Sequence, residues 1–346
     1  MYKLQYDEQK IIETIDRVVK RTMNMDFTWD WPCGVAFYGI SKAWEVTKNQ
    51  EYIDFLVKWV DEYLEVGLPP FTVNACAMGH TLITLHDATG DQKYLDLALQ
   101  KAEYLRKDAI RFGDNVFQHT VSSKNDFPEQ AWADTLFMAA YFLLRMGFKL
   151  DNKEYIDDAL NQFYWHEEYL QDTTTNLFYH AWNNVQKNHM SGMYWARANA
   201  WAAYTMAKSY RFLNYLNPMW MQIGGALRDH LSALVRLQSP EGLWHTLLDD
   251  ESSYLETSAS AGIAASLVNW GHPLHGKAIE KAINGILNNI AEDGTVKNVS
   301  AGTAVMLTAE DYKNVPIKRI QGWGQGLALA FLCELVDKNS KGGAMT

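Results

Sequence analysis

The chain has 346 residues, 48% of them hydrophobic, and a formal net charge of −10. This charge argues against a nucleic-acid-binding protein, which would normally present a basic face. It does not exclude an anionic small substrate, because a pocket can be locally positive on an acidic protein. No Ser/Gly linker or block of charge divides the sequence. We therefore predict a single domain over residues 1–340 and a flexible tail at 341–346.

Cysteine usage and hydropathy indicate the compartment. Cys33, Cys76 and Cys333 lie in apolar surroundings and are odd in number, which favours buried, reduced thiols. The first residues contain no apolar targeting segment, and no run of 18 apolar residues predicts a membrane span. These features predict a cytoplasmic protein without membrane or nucleic-acid partners, and they leave open whether it is a monomer or a homodimer.

Apolar periodicity predicts about twelve helices and little strand. Strand signals are minor, although residues 177–180 could pair briefly within a long loop. The predicted helices span approximately 7–24, 33–47, 50–66, 74–88, 91–107, 130–148, 152–164, 194–214, 217–238, 256–270, 273–291 and 322–338.

A repeat organises the first half of the chain. Three helices begin after a polar turn and carry a tyrosine in their first turn: Tyr52, Tyr94 and Tyr155. An apolar helix precedes each copy, so the repeating unit is a helical hairpin, and repeats of this kind predict a stacked or closed helical array. Twelve helices in six hairpins predict an all-α (α/α)6 barrel with an inner and an outer ring.

The even-numbered predicted helices begin with unusual residues. If they form the inner ring, their starts meet at one mouth of the barrel. The long connections 108–129, 165–193 and 292–321 precede even-numbered helices and would lie at the same mouth, where binding sites form on a rigid scaffold. The six starts are Trp29-Asp30-Trp31-Pro32, Thr72-Val73-Asn74, Trp132-Ala133-Asp134, Tyr194-Trp195-Ala196-Arg197, Glu256-Thr257-Ser258 and Gln321-Gly322-Trp323-Gly324.

Asp134 is the first candidate catalytic residue. It lies in the first turn of an apolar helix, two residues after Trp132 and behind a loop that contains a proline. Removal from bulk water would raise the pKa of Asp134 towards that of a general acid near neutral pH. The alternative interpretation is an acidic residue that merely complements a helix N-terminus.

Arg197 and Trp201 are four residues apart and share one helix face. The planar fork of an arginine suits a substrate carboxylate, since it can bind both oxygens with parallel hydrogen bonds. An arginine in a salt bridge at a helix start is the other interpretation.

Two loop residues are further candidates. His180, between Tyr179 and Trp182, is either a ligand for a sugar hydroxyl or an ordinary loop histidine. Lys124 precedes Asp134 in its loop, where it either attracts an anion or is simply solvated.

Two stretches resemble motifs for a metal and a nucleotide, but neither motif is complete. His166-Glu167 begins like the zinc motif H-E-x-x-H, but Leu170 stands where the second histidine would be. Gly322-Trp323-Gly324-Gln325-Gly326 follows no strand and is not a dinucleotide fingerprint. We therefore predict neither a metal nor a cofactor.

Five motifs in order resemble glycoside hydrolase family 105, the unsaturated rhamnogalacturonyl hydrolases, which are related to the unsaturated glucuronyl hydrolases of family 88. The resemblance covers nearly the whole chain and implies an (α/α)6 barrel. The motifs are Trp132-Ala133-Asp134-Thr135-Leu136-Phe137-Met138-Ala139, Phe178-Tyr179-His180-Ala181-Trp182, Trp195-Ala196-Arg197-Ala198-Asn199-Ala200-Trp201, Glu256-Thr257-Ser258-Ala259-Ser260-Ala261 and Gly322-Trp323-Gly324-Gln325-Gly326.

The resemblance also implies a reaction and a set of site residues. Such enzymes act on a terminal uronic sugar with a C4=C5 double bond, left by a polysaccharide lyase in pectin breakdown. The resemblance makes Asp134 the acid that protonates C4 and the base that activates water for C5. The residues expected to bind substrate are Asn74, Lys124, Trp132, His180, Trp195, Arg197 and Trp201.

One departure from the family pattern leaves other functions open. The family usually has a second aspartate five residues before a glycine, and counting back from Gly79 gives Asn74. An asparagine cannot be the anion that raises the pKa of Asp134. A sugar-binding or regulatory barrel without catalysis is therefore one alternative, and a sugar epimerase that uses a pair of histidines is another.

Overall fold

The computed structural model describes residues 4–341, and residues 342–346 of the predicted tail lie outside this range. Its helices are α1 (Glu8–Met23), α2 (Trp31–Thr47), α3 (Gln50–Val66), α4 (Met78–Thr89), α5 (Gln92–Lys107), α6 (Phe142–Leu150), α7 (Lys153–Leu170), α8 (Ala196–Tyr210), α9 (Pro218–Arg236), α10 (Thr257–Trp270), α11 (Gly276–Asn288), α12 (Ala309–Lys313) and α13 (Gly322–Lys341). Short 3-10 turns, Asn74–Ala77 and Pro273–His275, precede α4 and α11, and a π-helical turn, Leu136–Tyr141, precedes α6.

The helices form two concentric rings. The inner ring runs through α2, α4, α6 with its π-helical turn, α8, α10 and α13, and α13 packs on α2 to close it. The outer helices α1, α3, α5, α7, α9 and α11 each pack against inner helices. The (α/α)6 barrel is confirmed, and so is the assignment of the even-numbered predicted helices to the inner ring.

The sequence pattern of each ring explains this arrangement. In α10, every residue from Thr257 to Asn269 is buried, as expected for a helix of small and apolar residues without a charged face. In α1 the buried residues form one stripe: Ile11, Thr14, Ile15, Val18, Val19 and Thr22. The outer helices α3, α5 and α7 begin at the predicted caps, because Asn49, Asp91 and Asn152 accept hydrogen bonds from first-turn N–H groups.

The seam where the ring closes depends on glycine. A Cβ atom on Gly326 of α13 would lie 2.1 Å from the carbonyl oxygen of Val35 in α2, and one on Gly39 would lie 2.7 Å from the Cα atom of Gly326. Any larger residue would force the two backbones apart. Close approach of α2 and α13 therefore requires glycine at both positions.

Some local predictions were wrong. Residues 130–132 were assigned to a helix, but they form strand β3 (Gln130–Trp132), which pairs antiparallel with β4 (Ala181–Asn183). By contrast, the brief pairing expected within 177–180 is present, since Phe178 forms an isolated antiparallel bridge with Gln171. A small hairpin, β1 (Arg111–Phe112) with β2 (Val116–Phe117), and the short helix α12 were not predicted. Strand β3 depends on its pairing with β4, about fifty residues later in the chain, which a local pattern does not contain.

Hydropathy along the helices gives no candidate for a membrane anchor. Between residues 4 and 341, none combines the length and the apolar character that crossing a bilayer requires.

Candidate active site

The pairing of β3 with β4 builds the centre of the site. Its register places Trp132 opposite Ala181, and the N–H of Ala133 donates to the carbonyl oxygen of His180 at 3.1 Å. Asp134 follows as the first helical residue before the π-helical turn. Such turns occur frequently at functional sites. Two loops distant in sequence therefore bring Asp134 and His180 together at the barrel mouth.

Asp134 and His180 face each other with unused hydrogen-bonding atoms. The Asp134 Oδ2 and His180 Nε2 atoms are 3.5 Å apart, and both are buried without a hydrogen-bond partner in the described part of the chain. On its other side, His180 Nδ1 lies 2.8 Å from the Tyr312 hydroxyl. The side chain of Asp134 remains 15% exposed, whereas that of His180 is fully buried. Buried polar atoms almost always have partners, so this pair indicates a place for a ligand or water.

The electrostatics of Asp134 differ from the prediction. Burial raises the pKa of Asp134, but the neighbouring histidines, His180 foremost, and Arg197 outweigh that effect and lower it. The prediction of a raised pKa was therefore wrong for the protein without substrate, because the sequence did not show that His180 and Arg197 surround this carboxylate. Burial lowers the pKa of His180, against the opposing influence of Asp134. At neutral pH the pair is a carboxylate beside a neutral imidazole.

A second histidine supports the site from the opposite side. His119 stacks on Trp132 with ring centroids 4.1 Å apart. Its Nδ1 atom lies 3.3 Å from Thr135 Oγ1, and its Nε2 atom lies 3.4 Å from Asn74 Nδ2. Burial lowers the pKa of His119 to about 4, so this ring is neutral as well. Asn74 is buried, and its Oδ1 atom has no hydrogen-bond partner among the described residues.

Arg197 is held far more tightly than Asp134. Its guanidinium lies 3.4 Å from Glu256 Oε1 and also donates to Ser300, Ala301 and Thr303. The Arg197 Cζ atom lies 4.5 Å from the ring centroid of Trp195 and 5.4 Å from that of Trp323. Burial lowers the pKa of Arg197, and Glu256 opposes that effect. A salt bridge at a helix start, the alternative interpretation of Arg197, is therefore present.

The remaining predicted site residues lie at different depths. Trp195 packs against His180 with ring centroids 4.2 Å apart, in direct contact with the central pair. Trp201 lies one helical turn deeper than Arg197, packed on Phe137 in the core. Lys124 is exposed, and its backbone N–H donates to Ser122. No described contact joins Lys124 or Trp201 to Asp134, so their binding of substrate stays a prediction.

Comparison with known proteins now identifies the family. The model of Glycosyl Hydrolase Family 88 matches residues 5–338. The chain belongs to this family. It is 56% identical over 342 residues to the unsaturated rhamnogalacturonyl hydrolase YesR of Bacillus subtilis (strain 168), covering 99% of each chain.

Solved structures support the same assignment for this family 88 member. A possible member of the GH105 family from Salmonella enterica matches with a TM-score of 0.92 and 26% identity, over 98% of this chain and 97% of the other. An unsaturated glucuronyl hydrolase from Bacillus sp. GL1 matches with a TM-score of 0.77 and 17% identity, over 95% and 97%, which shows the shared fold. The predicted resemblance to family 105 is confirmed, and the protein is a glycoside hydrolase.

Reasoning from the sequence missed several residues of this glycoside hydrolase site. Tyr312, which orients His180, lies 132 positions later in the chain, and no sequence motif indicates this contact. His119 had a usable signal, since it lies in the long loop that leads to Asp134. Glu256 lies in one of the five family motifs, but the sequence did not indicate that it pairs with Arg197.

Neither the surface clefts nor a group of metal-binding side chains indicates where the reaction takes place. A surface cleft of about 790 Å³ is lined by residues such as Phe148, Phe212 and Met219, and contains none of the candidate site residues. Within residues 4–341, no group of three or more His, Cys, Asp or Glu side chains is arranged to hold a metal ion. The buried polar atoms around Asp134 are the better guide.

Proposed function

We propose that this glycoside hydrolase acts on disaccharides with an unsaturated C4=C5 uronyl sugar at the non-reducing end, released from rhamnogalacturonan by a lyase. The 56% identity to YesR supports this substrate class. The observation that carries the proposal is the pair of buried atoms, Asp134 Oδ2 and His180 Nε2, which lie 3.5 Å apart and have no hydrogen-bond partner among residues 4–341. A largely buried carboxylate beside His180, which Trp132 and Trp195 flank, fits a single-acid mechanism. The binding-protein and epimerase alternatives are not favoured.

The proposed reaction is the hydration of a vinyl ether. The protonated carboxyl of Asp134 gives its proton to C4, and the ring-oxygen lone pair stabilises the cation that develops at C5. Water adds to C5 while the Asp134 carboxylate takes a water proton, which restores the acid. The hemiketal then opens to a ketone at C5 and leaves a hemiacetal at C1. The hemiacetal hydroxyl gives up its proton and becomes an aldehyde as the C1–O bond to the next sugar breaks, and that sugar takes the proton and leaves as an alcohol. One water is consumed, and one carboxyl group serves as acid and then as base.

The pKa of Asp134 is lowered in the free enzyme, so this carboxylate must gain a proton before it can act as the acid. Substrate binding favours that protonation in two ways. A uronate brings a carboxylate into the site, and a like charge near Asp134 favours its protonated form. Binding also removes the remaining 15% exposure of the Asp134 side chain, which acts in the same direction. The proton needed at C4 is thus taken up as the anionic substrate binds.

Substrate contacts follow from the same geometry. Arg197 supplies positive charge near Asp134, so we assign the substrate carboxylate to its side of the mouth. His180 Nε2 and Asn74 Oδ1 have free hydrogen-bonding capacity, which suits sugar hydroxyls. Trp132 and Trp195 flank His180 and provide apolar surface for a sugar ring.

A matched pair of substrates tests the proposal. The unsaturated galacturonyl-rhamnose disaccharide should be cleaved, with loss of the ultraviolet absorbance of the double bond. Its saturated counterpart, which has the same sugars and linkage, should not be cleaved. Cleavage of both at similar rates would contradict a mechanism that begins at the double bond. Tight calorimetric binding of the unsaturated compound without turnover would indicate a binding protein instead.

We further propose that the enzyme works in the cytoplasm on small oligosaccharides, as a monomer or homodimer, without nucleic-acid or membrane partners. The thiols of Cys33, Cys76 and Cys333 are free and buried, which fits a reducing compartment. Cell fractionation and light scattering of the purified protein test these two points. Recovery of the protein in a secreted fraction would contradict the location.

A further inference from the structure

A small cavity lies at the end of the barrel opposite Asp134. Its volume is about 230 Å³, and its lining includes Lys42, Glu45, Tyr141, Arg145, Lys208 and Arg211. We call it the basal cavity. Arg197 begins α8 at the mouth and Arg211 follows its end, so the helical rise separates the two by about 20 Å. The basal cavity is therefore distinct from the hydrolytic site.

Positive charge exceeds negative charge around the basal cavity. Lys42 pairs with Glu45, and Lys208 pairs with Glu334 at 2.7 Å. These two pairs leave Arg145 and Arg211, and neither forms an ion pair with a carboxylate among residues 4–341. An uncompensated pair of arginines is unexpected on a protein whose net charge is −10. It indicates a local field that attracts anions.

The guanidinium of Arg145 is held in place by His80 but uses only some of its hydrogen-bond donors. Its Nη1 atom donates to the Nδ1 atom of His80 at 3.0 Å and to the carbonyl oxygen of His80 at 3.3 Å. The ring of His80 is fixed in turn by its Nε2 atom, which lies 3.0 Å from the carbonyl oxygen of Phe137. The Nε and Nη2 atoms of Arg145 make no hydrogen bond to another described residue. A fixed guanidinium with free donors is preorganised to bind a ligand.

Helix dipoles do not account for the whole cluster. Lys208 and Arg211 lie at the C-terminal end of α8, where cations are favoured. Arg145, however, is the fourth residue of α6, and Lys42 lies five residues before the end of α2. The dipole effect is confined to the last turn, so the convergence of all four cations needs another reason.

We propose that the basal cavity binds a small oxyanion of the phosphate class, either inorganic phosphate or the phosphate group of a small sugar phosphate. Arginine forks match phosphate oxygens with paired hydrogen bonds, and the two lysines add charge. The volume is below the range of about 300–1,000 Å³ that is typical of larger ligands. The cavity therefore takes a compact anion, with Arg145 and Arg211 as its principal ligands.

Calorimetric titration at constant ionic strength tests the site, with inorganic phosphate and glucose 6-phosphate as probes and sodium chloride as the reference salt. The wild-type protein should show saturable binding. Arg211→Gln should weaken it at least tenfold, and the double variant Arg145→Gln/Arg211→Gln should abolish it. The side chain of Arg211 makes no hydrogen bond or ion pair with the rest of residues 4–341, so its substitution tests binding without threatening the fold.

The matched control is Arg228→Gln, which removes the same charge from an exposed position on α9 where the arginine pairs with Asp229. This variant should bind like the wild type. Tighter binding of glucose 6-phosphate identifies a sugar phosphate as the ligand, and equal binding identifies free phosphate. Absence of saturable binding in the wild type, or equal losses in Arg211→Gln and Arg228→Gln, would overturn the proposal.

Discussion

The mouth of the barrel has two halves that differ in how fully their polar atoms are used. Around Asp134, His180 and Asn74, three buried polar atoms have no hydrogen-bond partner among the described residues. Arg197 and Glu256, in contrast, both make several hydrogen bonds. Glu256 accepts from the backbone N–H groups of Ala259 and Ser300 and from the hydroxyl of Ser258, in addition to its contact with Arg197.

This difference assigns a catalytic role to the Asp134 half of the mouth and a structural role to the Arg197 half. A group that must exchange protons with substrate needs free hydrogen-bonding capacity, which the Asp134 half retains. A group that supplies a constant charge works best when its orientation is fixed, because fixed charges need no reorganisation during the reaction. We therefore expect substitutions in the Asp134 half to change catalysis and substitutions in the Arg197 half to change stability as well.

The largest effect is expected for Asp134→Asn. Asparagine keeps the shape but can neither give nor take the proton, so kcat should fall by at least about 10³-fold. The measurement is the rate of loss of ultraviolet absorbance from the unsaturated ring, with thermal unfolding to confirm the fold. Asp26→Asn, an exposed aspartate in the loop before α2, should retain full activity. An active Asp134→Asn enzyme would remove the basis of the proposed mechanism.

Arg197→Met should produce the next largest effect, and it should be visible in stability. It leaves the buried Glu256 carboxylate without its counter-charge, which costs about 3 kcal/mol or more in the free energy of unfolding. Urea unfolding measures this loss, and kinetics should show a raised KM because the substrate carboxylate loses its counter-charge. Arg197→Lys keeps the charge and should lose less stability. Unchanged stability in Arg197→Met would show that the ion pair does not hold this half together.

His180→Phe should change the pH profile. His180 is the strongest influence lowering the pKa of Asp134, so its removal should raise that pKa. Because kcat/KM for an acid-dependent step falls as pH rises through the pKa of the free enzyme, the falling limb should move to higher pH. Tyr312→Phe removes the bond that orients His180 but keeps the imidazole, and it should move the limb less. A limb that moves to lower pH, or stays in place, would contradict the assignment of Asp134 as the acid.

The smallest effect is expected for Asn74→Asp. A second carboxylate beside His119 should raise the pKa of Asp134 by like-charge repulsion, and so increase kcat/KM at neutral pH by a few fold. The matched control is Asn125→Asp, which places the same charge in the exposed loop before Asp134. Equal changes in both variants would attribute the effect to overall charge rather than to position 74.

The barrel and its inner ring were predictable because their signals are local. Helix periodicity, caps such as Asn49 and Asp91, and the all-round burial of the inner helices are written in short stretches of sequence. The loop elements were less predictable. Strand β3 replaced the predicted start of a helix at 130, because its backbone pairs with β4, some fifty residues later in the chain.

For the site, the sequence alone determined that Asp134, His180 and Arg197 belong to loops and helix starts that converge at one mouth. Only the tertiary structure decided their states. The contact of Tyr312 with His180 spans 132 positions, and the contacts of Arg197 with Ser300 and Ala301 span 103 and 104. The pKa of a carboxylate depends on which charges lie within a few ångströms of it. Sequence spacing places Asp134 at the mouth, but the folded neighbours set its proton affinity.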